Sequence, residues 1–436
     1  MRTRTAVTAV VAGVLLLVVT VAGAYTAMVD RRTPAGAPDA VPARADPLTA
    51  AIESAQRRLE EVPGDHHSWA ELGAAYVEQA RVTANPGYYD KAEGALQESM
   101  ALRPDGNDAA LTGLGALANA RHDFAGAADA ASRALAVNEY SATAWGVLAD
   151  ARTQLGDYPG ATAAAHRMVE LRPGVASFAR ISYDAELHGD VIAARSALEQ
   201  ALEVAGSDSE KAFCRTYLGG LAFSTGFLDE AAEQYAAGLE VAPGDPALRL
   251  GQARIDAARG DVDGAVTAYG EVAAARPLPE NLVEYGDYLE SLGRHDDAAD
   301  QYALLDDVRR LFVASGVEED LGVALFAADH GDPAMAVEAA QAEFGRRQNV
   351  DAADALAWAL HSAGRDAEAL PYAEQATSLG GRNALFLYHR AVVEATLGRT
   401  DAARAGLAAA LETNPHFSVL HAPHAAALLT DLGGPP

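Results

Sequence analysis

Three histidines, His416, His421 and His424, lie close together near the carboxyl end, in Asn414-Pro415-His416-Phe417-Ser418-Val419-Leu420-His421-Ala422-Pro423-His424. Imidazole is a common ligand for zinc, copper and nickel, so this is the segment whose residue types could hold a metal. The spacing matches no standard site, and Pro423 disfavours the continuous helix that would align all three; the plainer reading is a capping turn with exposed histidines. His66-His67 carries less, because a polar residue at a helix start is ordinary. Other chemistry is missing. There is no glycine loop ending in Lys-Ser or Lys-Thr, no His-Glu-x-x-His, no paired-cysteine knuckle and no Gly-x-Ser-x-Gly. The sole cysteine, Cys214, cannot form an internal disulfide, and its place in a helix beside Phe213 predicts a packed thiol.

The elements that would carry such side chains are set by recurrence: small and bulky apolar residues return about every 34 residues. Leu114, Gly115, Ala127 and Ala134 form one unit. The same roles return at Leu148, Ala149, Ala161 and Met168, preceded by Trp145 and closed by Pro173, and again at Leu218, Gly219, Ala231 and Gly238, closed by Pro243. Tyr285, Gly286, Ala298 and Leu305 make a further copy. The period fits two antiparallel helices per unit, with small residues at close crossings and Pro or Gly-Asp ending a helix. No such unit buries its apolar face alone, so the units must stack. Gly156-Asp157, Gly189-Asp190, Gly260-Asp261, Gly293-Arg294, Gly331-Asp332, Gly364-Arg365 and Gly398-Arg399 mark the hairpin turns. About ten units result, the one from Val317 to Gly345 being the least regular.

This pattern resembles the tetratricopeptide repeat family, whose units carry Trp, Leu-Gly and Tyr in the first helix and Ala, an aromatic, Ala and Pro in the second. The resemblance covers nearly everything after residue 47. The unit from His66 matches with Trp69, Leu72, Gly73, Tyr76, Ala92, Leu96 and Pro104, and Arg81 to Tyr89 read as an insertion that lengthens its turn. The fold class expected is all-α: a superhelical solenoid over residues 48–436, with Leu48 to Val62 as a leading cap and Ala422 to Leu432 as a closing one. The resemblance also implies a concave groove, lined by first helices, that binds a peptide or protein partner. Mapped by phase, its contact positions are Tyr183, Phe213, Thr216, Phe223, Arg254, Asp287, Glu290 and Trp358. Phe213 and Phe223 are the aromatic anchors if they are not packed between helices. A clamp for a carboxyl-terminal peptide is not expected, since Lys91 and Lys211 fall outside the groove phase.

The amino terminus bears on location. Arg2 and Arg4 precede an uncharged run from Thr5 to Val29, long enough to cross about 30 Å of hydrocarbon as a helix. Residues 1–29 are therefore either a signal anchor or a long signal peptide, and Ala22-Gly23-Ala24 offers a cleavage pattern. A Pro- and Ala-rich tether spans residues 30–47, with Pro34, Pro38, Pro42 and Pro47. The expected location is extracytoplasmic, membrane-anchored or secreted. The net charge of -28 conceals a division: residues 1–45 hold five Arg against two Asp, leaving 28 basic and 59 acidic residues beyond, a net of -31. A domain so acidic repels nucleic-acid phosphates. No segment outside the repeats is long enough to fold as a catalytic domain, so the sequence predicts a non-enzymatic interaction scaffold without cofactor. The alternative is an accessory protein for metal handling through the His-rich carboxyl end.

Overall fold

Asp and Asn side chains cap ten of the described helices, and left-handed glycines end many of them. In the computed structural model, which describes residues 47–436, all seven Gly-Asp and Gly-Arg turns have glycine at φ between +71° and +87°. Asp157, Asp190, Asp261 and Asp332 then accept a backbone N–H three residues on, each such cap contributing about 1 kcal/mol. The apolar run and most of the Pro-rich tether lie outside the described residues. Among the described residues no helix is long and apolar enough to cross a membrane.

The described residues are all helix and turn: ten hairpins flanked by two single helices. Helix α1 (Pro47–Glu61) leads. It is followed by α2 (His66–Thr83) with α3 (Gly87–Leu102), α4 (Asp108–Ala120) with α5 (Phe124–Val137), and α6 (Ala142–Leu155) with α7 (Tyr158–Leu171). Next come α8 (Val175–Leu187) with α9 (Val191–Val204), α10 (Asp208–Ser224) with α11 (Leu228–Val241), and α12 (Pro246–Arg259) with α13 (Val262–Ala275). The last four pairs are α14 (Pro279–Ser291) with α15 (His295–Ala314), α16 (Asp320–Asp329) with α17 (Pro333–Arg346), α18 (Val350–Ser362) with α19 (Asp366–Ala376), and α20 (Ala384–Thr396) with α21 (Thr400–Thr413), before the single α22 (His421–Asp431).

One alanine per second helix sets the crossing. Ala92, Ala127, Ala161, Ala194, Ala231, Ala265, Ala298, Ala336, Ala369 and Ala403 are each at most 3 % exposed, so every hairpin closes on a methyl group. A larger side chain there would overpack the crossing by about 1–3 kcal/mol. Trp69 and Trp145 do not sit deep in the core. Each donates its indole N–H to a carbonyl six residues upstream, Pro63 and Glu139 at 2.9 Å, and so latches the preceding turn. The segment from Arg81 to Tyr89 is mostly not a long turn: α2 runs on through Thr83 and α3 starts at Gly87.

Hydrogen bonds at a near-constant separation of 192 to 196 residues join successive superhelical turns. Arg276 donates to the Arg81 carbonyl at 2.8 Å, and Arg121 to the Ser315 carbonyl at 3.0 Å. Buried Gln154 accepts from Arg347 and from Asn349, and Tyr158 Oη accepts from the Val350 N–H at 2.9 Å. Gly189 lies against Gly380, and Gly226 against Thr413. A fixed offset is what a solenoid of uniform hairpins produces when its pitch brings one turn against the next. Successive turns of the superhelix are thereby tied edge to edge around its inner side, the bore.

The joint between α15 and α16 is different. Helix α15, at 20 residues, is the longest among the described helices, and it meets α16 through long side chains, Tyr302 and Arg309 reaching Phe326 and the Gly322 carbonyl. The linking Ser315 to Glu319 segment leans on the seam, through Arg121 and through the His122 ring, 2.7 Å from the Glu318 carbonyl.

Candidate functional site

Side chains from distant hairpins lie within electrostatic reach of one another. Tyr183 of α8 feels the charge of Asp351 in α18, and Tyr217 of α10 feels Arg81, Arg276 and Glu186. The protein closing around these groups drives their ionisation upward. Glu186 stays in contact with water, yet desolvation pushes its carboxyl up to about 7. Burial likewise takes Glu319 to about 7 and Asp351 to about 6, the latter against the pull of Arg347. Glu280 is raised by the same cause, and the Tyr183 phenol is held well above its usual range. This region therefore offers tyrosines and carboxyl groups that keep protons near neutral pH.

Between neighbouring first helices the contact is polar. Asp150 takes two hydrogen bonds from Arg180, at 2.8 and 2.5 Å, with both side chains 5 % exposed. Arg254 forks onto Glu284 at 2.7 Å twice, and Tyr269 Oη donates to Glu284 at 3.0 Å. Further along, Trp358 Nε1 donates to Asp329 at 2.7 Å, and His389 Nδ1 lies 3.0 and 2.9 Å from the Asp354 oxygens. Desolvation holds the His389 imidazole down to about 3, so the ring is neutral in the interior.

These contacts revise the groove mapped by phase. Tyr183 and Thr216's neighbour Tyr217 are half-buried and within electrostatic reach of other hairpins; Thr216 itself is half-buried and donates back to the Ala212 carbonyl. Arg254 and Glu290 are half-buried and already paired, with Glu284 and with Tyr302. Asp287 and Trp358 are not surface positions: Asp287 is fully buried under Tyr302, and Trp358 is stacked 4.1 Å from His389. Phe213 and Phe223 form no common patch, since Phe213 packs with Val175, Ala201 and Cys214 while Phe223 joins Ala222 and Tyr235. Cys214 is a packed thiol, its ionisation pushed up to about 12 by burial.

The carboxyl-terminal histidines do not converge. His416 is exposed, His421 is fully buried with Nε2 3.6 Å from Asp329, and His424 meets Tyr388 Oη at 2.7 Å. Instead, Asp287, Glu290 and His330 bring one ligating atom each within 4.8 Å of one another. Spacing within the carboxyl-terminal tail could not reveal this group, because α14 and the end of α16 supply it from two units.

A model of the tetratricopeptide repeat family matches residues 112–176, 218–281 and 250–307. These segments are similar to tetratricopeptide repeats. The solenoid is similar to a tetratricopeptide repeat protein from Parabacteroides merdae, at 17% identity over 59% of this chain and 98% of that one, with a TM-score of 0.35. It is also similar to a thermophilic tetratricopeptide repeat protein from Thermus thermophilus, at 23% identity over 42% of this chain and 95% of that one, with a TM-score of 0.37. The APC/C hetero-tetramer Cut9-Hcn1 aligns at 15% identity over 89% of this chain and 82% of that chain, with a TM-score of 0.40. No curated protein matches the chain.

Phase alone missed the charged pairs between units, although the sequence carries a signal for them. Asp150–Arg180 and Arg254–Glu284, each joining successive first helices, are both opposite charges 30 residues apart. With a period of about 34, a separation of 30 is one repeat less one helical turn, which sets the two side chains face to face on adjacent helices.

Proposed function

We propose that the chain is a non-catalytic protein-interaction scaffold that holds an extended segment of a partner protein in its bore. Tetratricopeptide repeats generally serve as protein-interaction scaffolds. The observation that carries the reading is the grouping of Tyr183 and Tyr217 within electrostatic reach of Glu186 and Asp351, beside a hydrogen-bonded seam between superhelical turns. Such a grouping suits an extended chain better than a folded domain, and tyrosine gives rigid contact area at little entropic cost. The scaffold works outside the cytoplasm, anchored by residues 1–29 or secreted after their removal. That placement is supported by Arg2 and Arg4 ahead of the apolar run.

The test is a photo-crosslinking residue placed at Tyr183 or Tyr217 in the native cell, with Tyr140, 67 % exposed, as the outer control. Adducts with one discrete polypeptide from the inner positions support the reading; adducts from Tyr140 alone defeat it. A phosphatase that is active only outside the cytoplasm, fused after Asp46, tests location separately, and an inactive fusion removes the export half of the proposal.

A further inference from the structure

Among the described residues, ten buried side-chain oxygens and nitrogens lack a hydrogen-bond partner, and six of them lie in one interior run: Asp287 Oδ2, Asp329 Oδ2, His330 Nε2, His389 Nε2 and both ring nitrogens of His421. Each unpartnered buried polar atom costs on the order of 1–3 kcal/mol, so a cluster of them calls for a ligand. Ligating atoms converge at one end of that run only, at Asp287, Glu290 and His330.

The site is built rather than incidental. Asp287 is 0 % exposed, while the side chains of Glu290 and His330 are 23 and 16 % exposed, which leaves one side open to an entering ion. His330 Nε2 stands 3.3 Å from Asp287 Oδ1, a separation suited to two ligands of one small cation. Tyr302 Oη lies 2.9 Å from Asp287 Oδ1 and 3.2 Å from Glu290 Oε2, so its single proton holds both carboxylates in place. The His330 ring is fixed between Phe326, stacked at 4.2 Å, and the edge of Tyr302 at 4.5 Å. Outer contacts of this kind orient metal ligands.

We propose that Asp287, Glu290 and His330 bind one divalent transition-metal ion of the zinc class, which ties α14 to the end of α16 beside Tyr302 of α15. One imidazole nitrogen and two carboxylate oxygens suit zinc with a water in the fourth position. Calcium and magnesium prefer all-oxygen shells, and a copper(I) site would call for thiolate or thioether. The ion is structural, and its presence is independent of what occupies the bore.

The experiment is a calorimetric titration of zinc into the untagged full chain after chelator dialysis, paired with hydrogen exchange. One ion per chain is expected, with at least tenfold weaker binding in Asp287→Asn and in His330→Gln, and zinc should slow exchange in α14 and α16 of the unaltered chain. Glu290→Gln, at a partly exposed position, gives a third reading should a buried variant lose its fold. The proposal is overturned if no ion binds stoichiometrically, if all three variants bind as the unaltered chain does, or if binding is lost instead with His416→Gln and His424→Gln.

Discussion

Two turns of the same local design distinguish the seam from the hairpin. Gly156-Asp157 and Gly260-Asp261 have glycine at φ +81° and +77°, each followed by an Asp that caps the next helix. Alanine at either position costs about 1–2 kcal/mol for the left-handed backbone. At Gly260 a Cβ meets nothing within 4 Å, so that is the whole cost. At Gly156 the Cβ would stand 2.8 Å from the Gln348 carbonyl oxygen, which is backbone of the next superhelical turn and cannot swing aside. Relief requires parting the seam where Gln154 accepts from Arg347 and Asn349, exposing or orphaning groups worth about 1–3 kcal/mol. Gly156→Ala should therefore cost about 2–5 kcal/mol, against about 1–2 for Gly260→Ala. Because repeat arrays open in parts, the readout is native-state hydrogen exchange residue by residue. Gly156→Ala should speed exchange both at α6–α7 and at the start of α18, while Gly260→Ala changes only α12–α13. Equal and purely local effects of the two variants would refute the reasoning that the seam is a packed contact.

Asp150→Ala leaves the Arg180 guanidinium charged in the interior and should destabilise the α6–α8 region by about 3–5 kcal/mol, whereas Glu53→Ala, which breaks the exposed pair with Arg57, should cost about 0.5 kcal/mol or less. Similar urea midpoints for the two variants would mean that water already reaches the Asp150 pair. Acid–base behaviour gives the other check. Glu319 and Asp351 keep protons to about pH 7 and 6 in the fold but release them near 4.5 and 3.8 when unfolded, so the folded chain holds more protons between those values and stability falls as pH rises through them. His389 works oppositely: it stays neutral to about 3, while the unfolded imidazole charges below 6.5, so stability falls as pH drops under 6.5. Melting temperature should accordingly decline from pH 6.5 to just above 7, where the histidine no longer contributes, and level off beyond, and the decline should shrink in Glu319→Gln. An increase over that interval would contradict the desolvated environment assigned to Glu319.

The hairpins were legible because their rules are local. A glycine that must adopt positive φ, an Asp one residue later that caps, and an alanine at the crossing all sit within one turn of the feature they cause, so spacing alone exposes them. Asp287 and Trp358 were misplaced because phase identifies a face of a helix without saying what that face meets. Asp287 and Trp358 lie on faces that meet a neighbouring first helix: Trp358 donates to Asp329 of α16, and Asp287 meets His330 at the end of α16.

The seam was hidden for a further reason. It depends on the sum of small rotations over several hairpins, and no residue pair announces a partner about 194 residues away until that sum is known. His122 illustrates the limit: it holds the left-handed turn position that glycine holds elsewhere, at φ +64°, which reads as a local defect. The ring's bond to the Glu318 carbonyl offsets that strain and binds the segment after α15, so a residue that breaks the hairpin rule serves the superhelix. Departures from a repeat are thus informative positions in a solenoid: at His122, and at the cluster of Asp287, Glu290 and His330, the exceptions fall where units must be joined rather than merely stacked.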